Sequence, residues 1–233
     1  MSRSKILKDY VSGESSLEVT LKRILIIISS FNDEKLNYWV KKEIEGYEKD
    51  DELPEYRKLI GSLKGSYIQG NMFNAIQVSN QLLPTTGLPE ELLNVNIYDS
   101  VKSITDILNT SSESTMGRQI PIEFCGKLSE LYGASVTEAT VICNRNQIQK
   151  IIDKVNSMVL DMLIKLENEF GNLDELDISK SMAIKNNVDT IKGEIICMIY
   201  NDQSISIGDK NKIKNTDIIS NVKEWFNGNK NRW

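Results

Sequence analysis

One apolar pattern constrains the fold of this 233-residue chain more than any other feature of the sequence. Over residues 148–170, large apolar side chains recur at intervals of three and four for about six turns of helix. This spacing places them on one side of an α-helix, and that side has to be covered by other elements. Gly171 follows and favours the end of a helix. The sequence therefore predicts a long central helix with a buried stripe formed by Ile148, Ile151, Ile152, Val155, Val159, Met162, Leu163, Leu166 and Phe170.

Two shorter apolar stripes lie near the start of the sequence, within residues 15–47. The first runs from Leu17 to Ile28 and the second from Leu36 to Tyr47, both with helical spacing. The break between them spans only residues 30–33, where Asn32 or Asp33 can cap the second helix. Because so short a connection brings the two stripes face to face, we expect a helical hairpin.

The remaining segments alternate between shorter helical and strand patterns. Alternating β-branched residues predict a strand at residues 135–143. Glycines among Tyr, Ile and Val predict either two short strands or an irregular paired segment within residues 59–80. The same rules predict a helix beginning at Pro89, a helix at 101–108, a polar loop at 110–117, helices at 122–132 and 178–191, and a strand at 194–200. The expected fold class is α+β and mostly helical, with an N-terminal helical hairpin, few short strands, a long central helix and a small C-terminal β element.

The C-terminal segment carries a short repeat. An apolar residue followed two positions later by Asp or Asn recurs every six residues, at Ile207, Ile213 and Ile219. Hexad spacing is typical of β-solenoids, and a single coil cannot bury its own apolar face. Three interpretations stay open: stacking between chains through these three isoleucines, a β-hairpin or meander, and a mobile tail. We expect a domain over residues 1–192 and a β or hexad-repeat tail over residues 193–233 that is a candidate oligomerisation element.

Composition excludes several kinds of chemistry. The chain contains no histidine, so it cannot build a Ser-His-Asp or Cys-His nucleophile or a histidine zinc site within itself. Its three cysteines are widely spaced and it has no phosphate-binding glycine loop, so neither a metal site nor a cofactor is predicted. A net charge of −5 and apolar runs far shorter than the roughly 20 residues of a membrane span give no reason to expect membrane binding, and we expect a cytoplasmic protein.

Aromatic and charged residues are concentrated between residues 38 and 57. Trp39, Glu43 and Tyr47 are spaced by four and share one helix face, while Tyr56 and Arg57 follow the proline that ends the next loop. If the chain returns past that proline, Arg57 reaches Glu43. Two interpretations stay open: a buried Arg–Glu pair with aromatic packing, or a pocket with aromatic walls and an arginine for an anionic group of a ligand or partner.

The order of these residues resembles the AbiTii family of bacterial abortive-infection proteins. The likeness rests on W-x-x-x-E-x-x-G-Y at residues 39–47, L-P-x-Y-R at residues 53–57, and Gly61. A weaker likeness covers the helical stripe at 148–170, where Asn156 stands in place of an arginine usual in the family, so no role is carried over there. The resemblance spans residues 15–170, implies defence against phage, and supplies no reaction.

On this basis we expect a non-enzymatic interaction module that senses a phage component and responds by self-assembly. Its expected partners are further copies of itself and, beyond those, a phage protein or a neighbouring defence protein. Two alternatives stay open: a magnesium-dependent toxin acting on nucleic acid through carboxylates, with the basic tail for binding, and a scaffold for a neighbouring effector. Nucleic acid is the less favoured partner because the chain as a whole is acidic.

Overall fold

Helices form most of the structure, a computed structural model that describes residues 3–69, 72–78, 89–110, 115–176 and 188–200. This confirms the expected α+β, mostly helical class. The helices in these ranges are α1 (Lys5–Val11), α2 (Leu17–Ser29), α3 (Glu34–Glu45), α4 (Val101–Thr110), α5 (Glu123–Tyr132), α6 (Arg145–Phe170) and α7 (Val188–Tyr200). None of the helices in the described part of the chain combines the length and apolar character needed to cross a membrane.

The predicted central helix is α6, and it begins three residues earlier than the apolar stripe. Asn144 caps it, and the side chain of Gln147 accepts a hydrogen bond from the Asn144 amide at 2.8 Å in a capping box. Gly171, at φ +80°, ends the helix, and its amide donates to the Glu167 carbonyl. All nine residues of the predicted stripe are buried, so α6 is the central element of the main core.

The predicted helical hairpin is confirmed as α2 and α3. The Ser16 side chain caps α2 by accepting from the Val19 amide, and the Asp33 side chain caps α3 by accepting from the Leu36 amide. Asn32 takes a left-handed conformation, at φ +50°, that turns the chain between the two helices. The hairpin packs its apolar stripes into the same core as α6.

The strands form two antiparallel sheets. Their bounds are β1 (Lys58–Ile60), β2 (Ser62–Gln69), β3 (Met72–Val78), β4 (Asn94–Asn96), β5 (Thr115–Gln119) and β6 (Ser135–Asn144). Strands β1 and β4 pair alone, with Leu59 opposite Val95, and the larger sheet has the order β3-β2-β6-β5. Helix α5 packs on β6, and a second core forms there around Leu63, Leu128 and Val141. The expected pairing within residues 59–80 and the strand at 135–143 are both confirmed.

The strand predicted at residues 194–200 is wrong, because these residues belong to helix α7. Ile191, Ile195 and Ile199 lie one turn apart and are all buried against the main core. The run of β-branched residues favours a strand by local preference, but the spacing of four lets these isoleucines cover α6 and α3. Burial in the core therefore overrides local propensity.

Three smaller corrections concern loops and element starts. The loop predicted at residues 110–117 is wrong at both ends, because Thr110 still belongs to α4 and Thr115 already belongs to β5. The helix start at Pro89 is only a 3-10 turn, Glu90–Leu93, that leads into β4. Helix α1 was not predicted, since it buries too few apolar residues to give a periodic pattern.

The hexad-bearing tail lies outside the described residues, and so does most of the helix predicted at 178–191. Self-association through Ile207, Ile213 and Ile219 accordingly stays a prediction, as does the division of the chain into two domains. The proposed boundary after residue 192 falls within α7.

Candidate functional site

The aromatic residues of α3 are placed by the way the helix ends. Gly46 follows the helix at φ +97°, and a side chain there would bring a Cβ within 3.0 Å of the Tyr98 carbonyl oxygen. A glycine permits both this backbone conformation and this close approach. The next amide, that of Tyr47, then donates to the Tyr98 carbonyl at 2.7 Å. The Gly-Tyr pair therefore turns the chain so that Tyr47 lies on the same side as Glu43.

The chain returns to α3 through a buried proline. Leu53 and Pro54 are buried, and a 3-10 turn at Glu55–Arg57 follows, in which the Arg57 amide donates to the Pro54 carbonyl at 3.0 Å. The Arg57 carbonyl accepts from the Ile97 amide at 3.0 Å, next to the β1–β4 pair. The backbone of Arg57 is thus fixed on both sides before its side chain makes any contact.

Glu43 and Arg57 form a buried, bidentate ion pair. Arg57 Nη2 donates to Glu43 Oε2 at 2.6 Å, and Arg57 Nε donates to Glu43 Oε1 at 3.0 Å. Both side chains have 0% of their surface exposed. Arg57 Nη1 donates to two backbone carbonyls, that of Ile97 at 3.1 Å and that of Asp99 at 2.7 Å. The guanidinium therefore joins α3 to the segment between β4 and α4.

The aromatic residues complete the hydrogen bonding of this pair. The hydroxyls of Tyr47 and Tyr56 donate to Glu43 Oε1 at 2.8 and 2.6 Å, and Trp39 Nε1 donates to the Tyr56 hydroxyl at 2.8 Å. The Arg57 guanidinium lies 4.8 Å from the centre of the Tyr47 ring, within cation–π range. We call the five residues Trp39, Glu43, Tyr47, Tyr56 and Arg57 the clasp. All five residues predicted for binding therefore belong to one connected network of hydrogen bonds.

Burial and charge fix the protonation of the clasp. Burial raises the pKa of Tyr47 and of Tyr56 well above the ordinary value, and the neighbouring Glu43 raises both further. Burial acts to lower the pKa of Arg57, but Glu43 outweighs it and the pKa is raised. Two neutral phenols and a guanidinium thus surround the carboxylate. Because their polar groups are directed at one another, the arrangement favours packing over exchange of protons with a substrate.

A second polar cluster holds the acidic loop at residues 48–52 against α3. Asp51 accepts from the Glu48 amide at 2.6 Å, from Lys42 Nζ at 2.6 Å and from the Tyr38 hydroxyl at 2.7 Å. These three donors, the Glu48 amide foremost, lower the pKa of Asp51 to about 2. Nothing in the composition of the loop distinguishes Asp51 from its acidic neighbours.

Helix α7 contacts α3 beside the clasp. Burial foremost, together with the charges of Glu52 and Glu43, raises the pKa of its last residue, Tyr200, to about 12. The local preference of residues 194–200 for a strand hides this neighbour from prediction.

No group of three or more Cys, Asp or Glu side chains that could hold a metal ion occurs within the ranges the structure describes. The clasp offers one carboxylate, and that carboxylate already accepts four hydrogen bonds. Asn156, at the position where the resemblance leads one to expect arginine, accepts from the Tyr10 hydroxyl at 2.7 Å and joins α1 to α6.

Comparison with known proteins gives one match. The sequence model of the AbiTii family covers residues 4–192, which include the whole clasp. The match therefore extends beyond residues 15–170, where the motifs resemble the family, at both ends. No curated protein and no solved structure matches the chain. The matched region ends within α7, eight residues before Tyr200.

We expect Arg57→Ala to lower the free energy of unfolding by roughly 3–5 kcal/mol, because it leaves the Glu43 carboxylate buried without its counter-charge. Denaturant unfolding followed by circular dichroism measures this change. Lys58→Ala is the matched control: the adjacent Lys58 pairs with Glu55 on the surface, where such a pair contributes at most about 1 kcal/mol. Equal unfolding midpoints for the two variants would contradict a buried ion pair.

We also expect Tyr47 and Tyr56 to ionise only as the chain unfolds in alkali. Their pKa values are higher in the folded chain than in the unfolded one, so their stabilising effect is complete below about pH 10 and is lost as the pH rises beyond it. Tyrosinate absorbance and circular dichroism, recorded together against pH, should show a group of tyrosines that titrates with the unfolding transition. Tyr47→Phe and Tyr56→Phe should each remove one tyrosine from that group, and ionisation of all tyrosines in a still-folded chain would refute the assignment.

Proposed function

The chain belongs to the AbiTii family of abortive-infection proteins, and from that premise we propose that it acts in anti-phage defence as an interaction module. In this proposal it senses a phage component or a neighbouring defence protein and responds by self-assembly. The family supplies the setting of phage infection, and the mode of action is inferred from the residues of this chain.

The observation that supports an interaction role is the closed hydrogen bonding of the clasp. The clasp is the densest group of charged and aromatic side chains in the family motif. Its two charged groups are bonded to each other, and the guanidinium is also bonded to the carbonyls of Ile97 and Asp99. A reaction centre needs a group free to contact a substrate. The clasp instead stabilises one surface of the protein, which α3, the acidic loop and the segment after β4 form.

The absence of histidine supports the same proposal. General acid–base catalysis near neutral pH most often uses histidine, and this chain has none. A magnesium-dependent nuclease would instead need converging carboxylates. Incubation of the pure protein with RNA, DNA and tRNA, with magnesium or with EDTA, provides a direct check, and magnesium-dependent cleavage would overturn the interaction role.

We expect cells that express the chain to form fewer plaques than cells with an empty vector, while the infected cells themselves stop growing. Plaque counts and growth curves over a panel of phages measure the two effects. Arg57→Ala should abolish protection and Lys58→Ala should retain it, with protein amounts compared in parallel. Plaque counts equal to the empty vector for every phage would contradict a defence role, and an Arg57→Ala chain that keeps its melting temperature but loses protection would make the clasp a binding site.

We expect self-assembly to depend on residues 201–233. Deletion of this segment, or the combined change Ile207→Ser, Ile213→Ser and Ile219→Ser, should reduce the mass in solution from that of an oligomer to that of one chain. Exchange of apolar for polar side chains at the hexad positions removes the surface that stacking would bury. Light scattering coupled to size-exclusion chromatography measures the mass. A monomeric full-length chain, or an unchanged mass after deletion, would rule out assembly through the tail.

A further inference from the structure

We propose that residues 3–11, which comprise α1 and the two residues before it and are here called the strap, detach from the rest of the fold as a unit. The strap is held at one end by the buried carboxylate of Glu167 and turns about a hinge at Gly13. This inference concerns a movable element of the fold and stands independently of the proposed function.

The attachment at the start of the strap is polar and centred on Glu167, in the last turns of α6. Glu167 Oε1 accepts from both the amide and the hydroxyl of Ser4 at 2.5 Å, and Glu167 Oε2 accepts from Arg3 Nη1 at 2.6 Å. The Ser4 hydroxyl in turn accepts from the Leu173 amide at 3.0 Å. Ser4 has no exposed surface. One carboxylate therefore gathers most of the bonds that fix this end of the strap.

The strap has little apolar surface of its own to hold it in place. Helix α1 has seven residues, of which only Ile6 and Leu7 are buried apolar residues. A helix this short is unstable by itself in water, because isolated helices need roughly 12–15 residues to persist. Elements with few buried apolar contacts open at a lower free energy than the global fold. The attachment of α1 therefore depends on its polar contacts as well as on the burial of Ile6 and Leu7.

The other polar contacts of the strap can be replaced by water. Arg23 Nη1 donates to Asp9 Oδ2 at 3.2 Å, and the Tyr10 hydroxyl donates to the side chain of Asn156 at 2.7 Å. In each of these two pairs at least one partner is partly accessible: Arg23 in the first, and both Tyr10 and Asn156 in the second. Such bonds exchange with solvent at a modest net cost, unlike the buried bonds of the clasp.

The segment after the strap has the properties of a hinge. Ser12, Gly13 and Glu14 are all exposed, as is Val11 at the end of the strap. Gly13 lies at φ +78°, and a Cβ placed there would meet nothing within 4 Å. Glycine adopts this left-handed conformation without strain, and the space beside its Cα is open. Release of the strap about Gly13 would uncover the apolar surface of α2 and α6 that Ile6 and Leu7 cover.

Hydrogen–deuterium exchange of the full-length protein tests the proposal. In Glu167→Gln, the amides of residues 5–11 should exchange at least about tenfold faster than in the unsubstituted chain, while the amides of residues 151–163 in α6 change by less than about twofold. Asp161→Asn is the matched control, since Asp161 is exposed on the same helix. It should leave both rates unchanged.

Ser4→Ala provides a second variant that keeps the charge of Glu167 and removes the hydroxyl bonds to Glu167 and Leu173. It should accelerate exchange of the same α1 amides selectively. Equal acceleration in α1 and α6 would mean that the strap unfolds only with the whole domain. Unchanged α1 rates in both variants would mean that the carboxylate does not hold it. Either outcome overturns the proposal.

Discussion

The buried ion pair between Glu43 and Arg57 is the interaction on which the first half of the fold depends. Removing two charges from water carries a large desolvation cost, which is offset only when the charges meet in good geometry with their remaining bonds satisfied. Here the carboxylate accepts four hydrogen bonds, and the guanidinium also reaches the carbonyls of Ile97 and Asp99. Because these donors and acceptors come from α3, the 3-10 turn and the segment before α4, each of the three fixes the position of the other two.

This geometry gives a physical reason for the residue types in the motif. Tryptophan and glutamate four residues apart on α3 face the core together, and the glycine is needed where the chain passes within van der Waals contact of Tyr98. The two tyrosines supply hydroxyl donors from a rigid aromatic body, so that they fill space and satisfy the carboxylate at once. Phenylalanine at either position would fill the space but leave an acceptor of Glu43 without its donor.

Elements with a periodic apolar stripe could be predicted from the sequence, and elements defined by distant partners could not. The helical hairpin and the long helix follow from spacing alone, and the Glu43–Arg57 pair follows from spacing and a proline. The carbonyls of Ile97 and Asp99 lie about forty residues further along the chain and carry no side-chain signal, so their role was not foreseeable. Helix α1 was missed because two apolar residues do not make a period, and residues 194–200 were misassigned because isoleucine favours strands locally while its spacing there fits a helix.

The same core thus holds two elements by different physical means. At the clasp, the buried charges and the aromatic side chains are bonded to one another. Loss of either charged residue would leave the other unpaired in an apolar interior. At the strap, a short helix is held by polar contacts, most of which water can replace. Of two such elements, the one with fewer buried contacts opens at the lower free energy. Under the proposed detachment of the strap, the clasp is the fixed part of this fold and α1 is the part that opens.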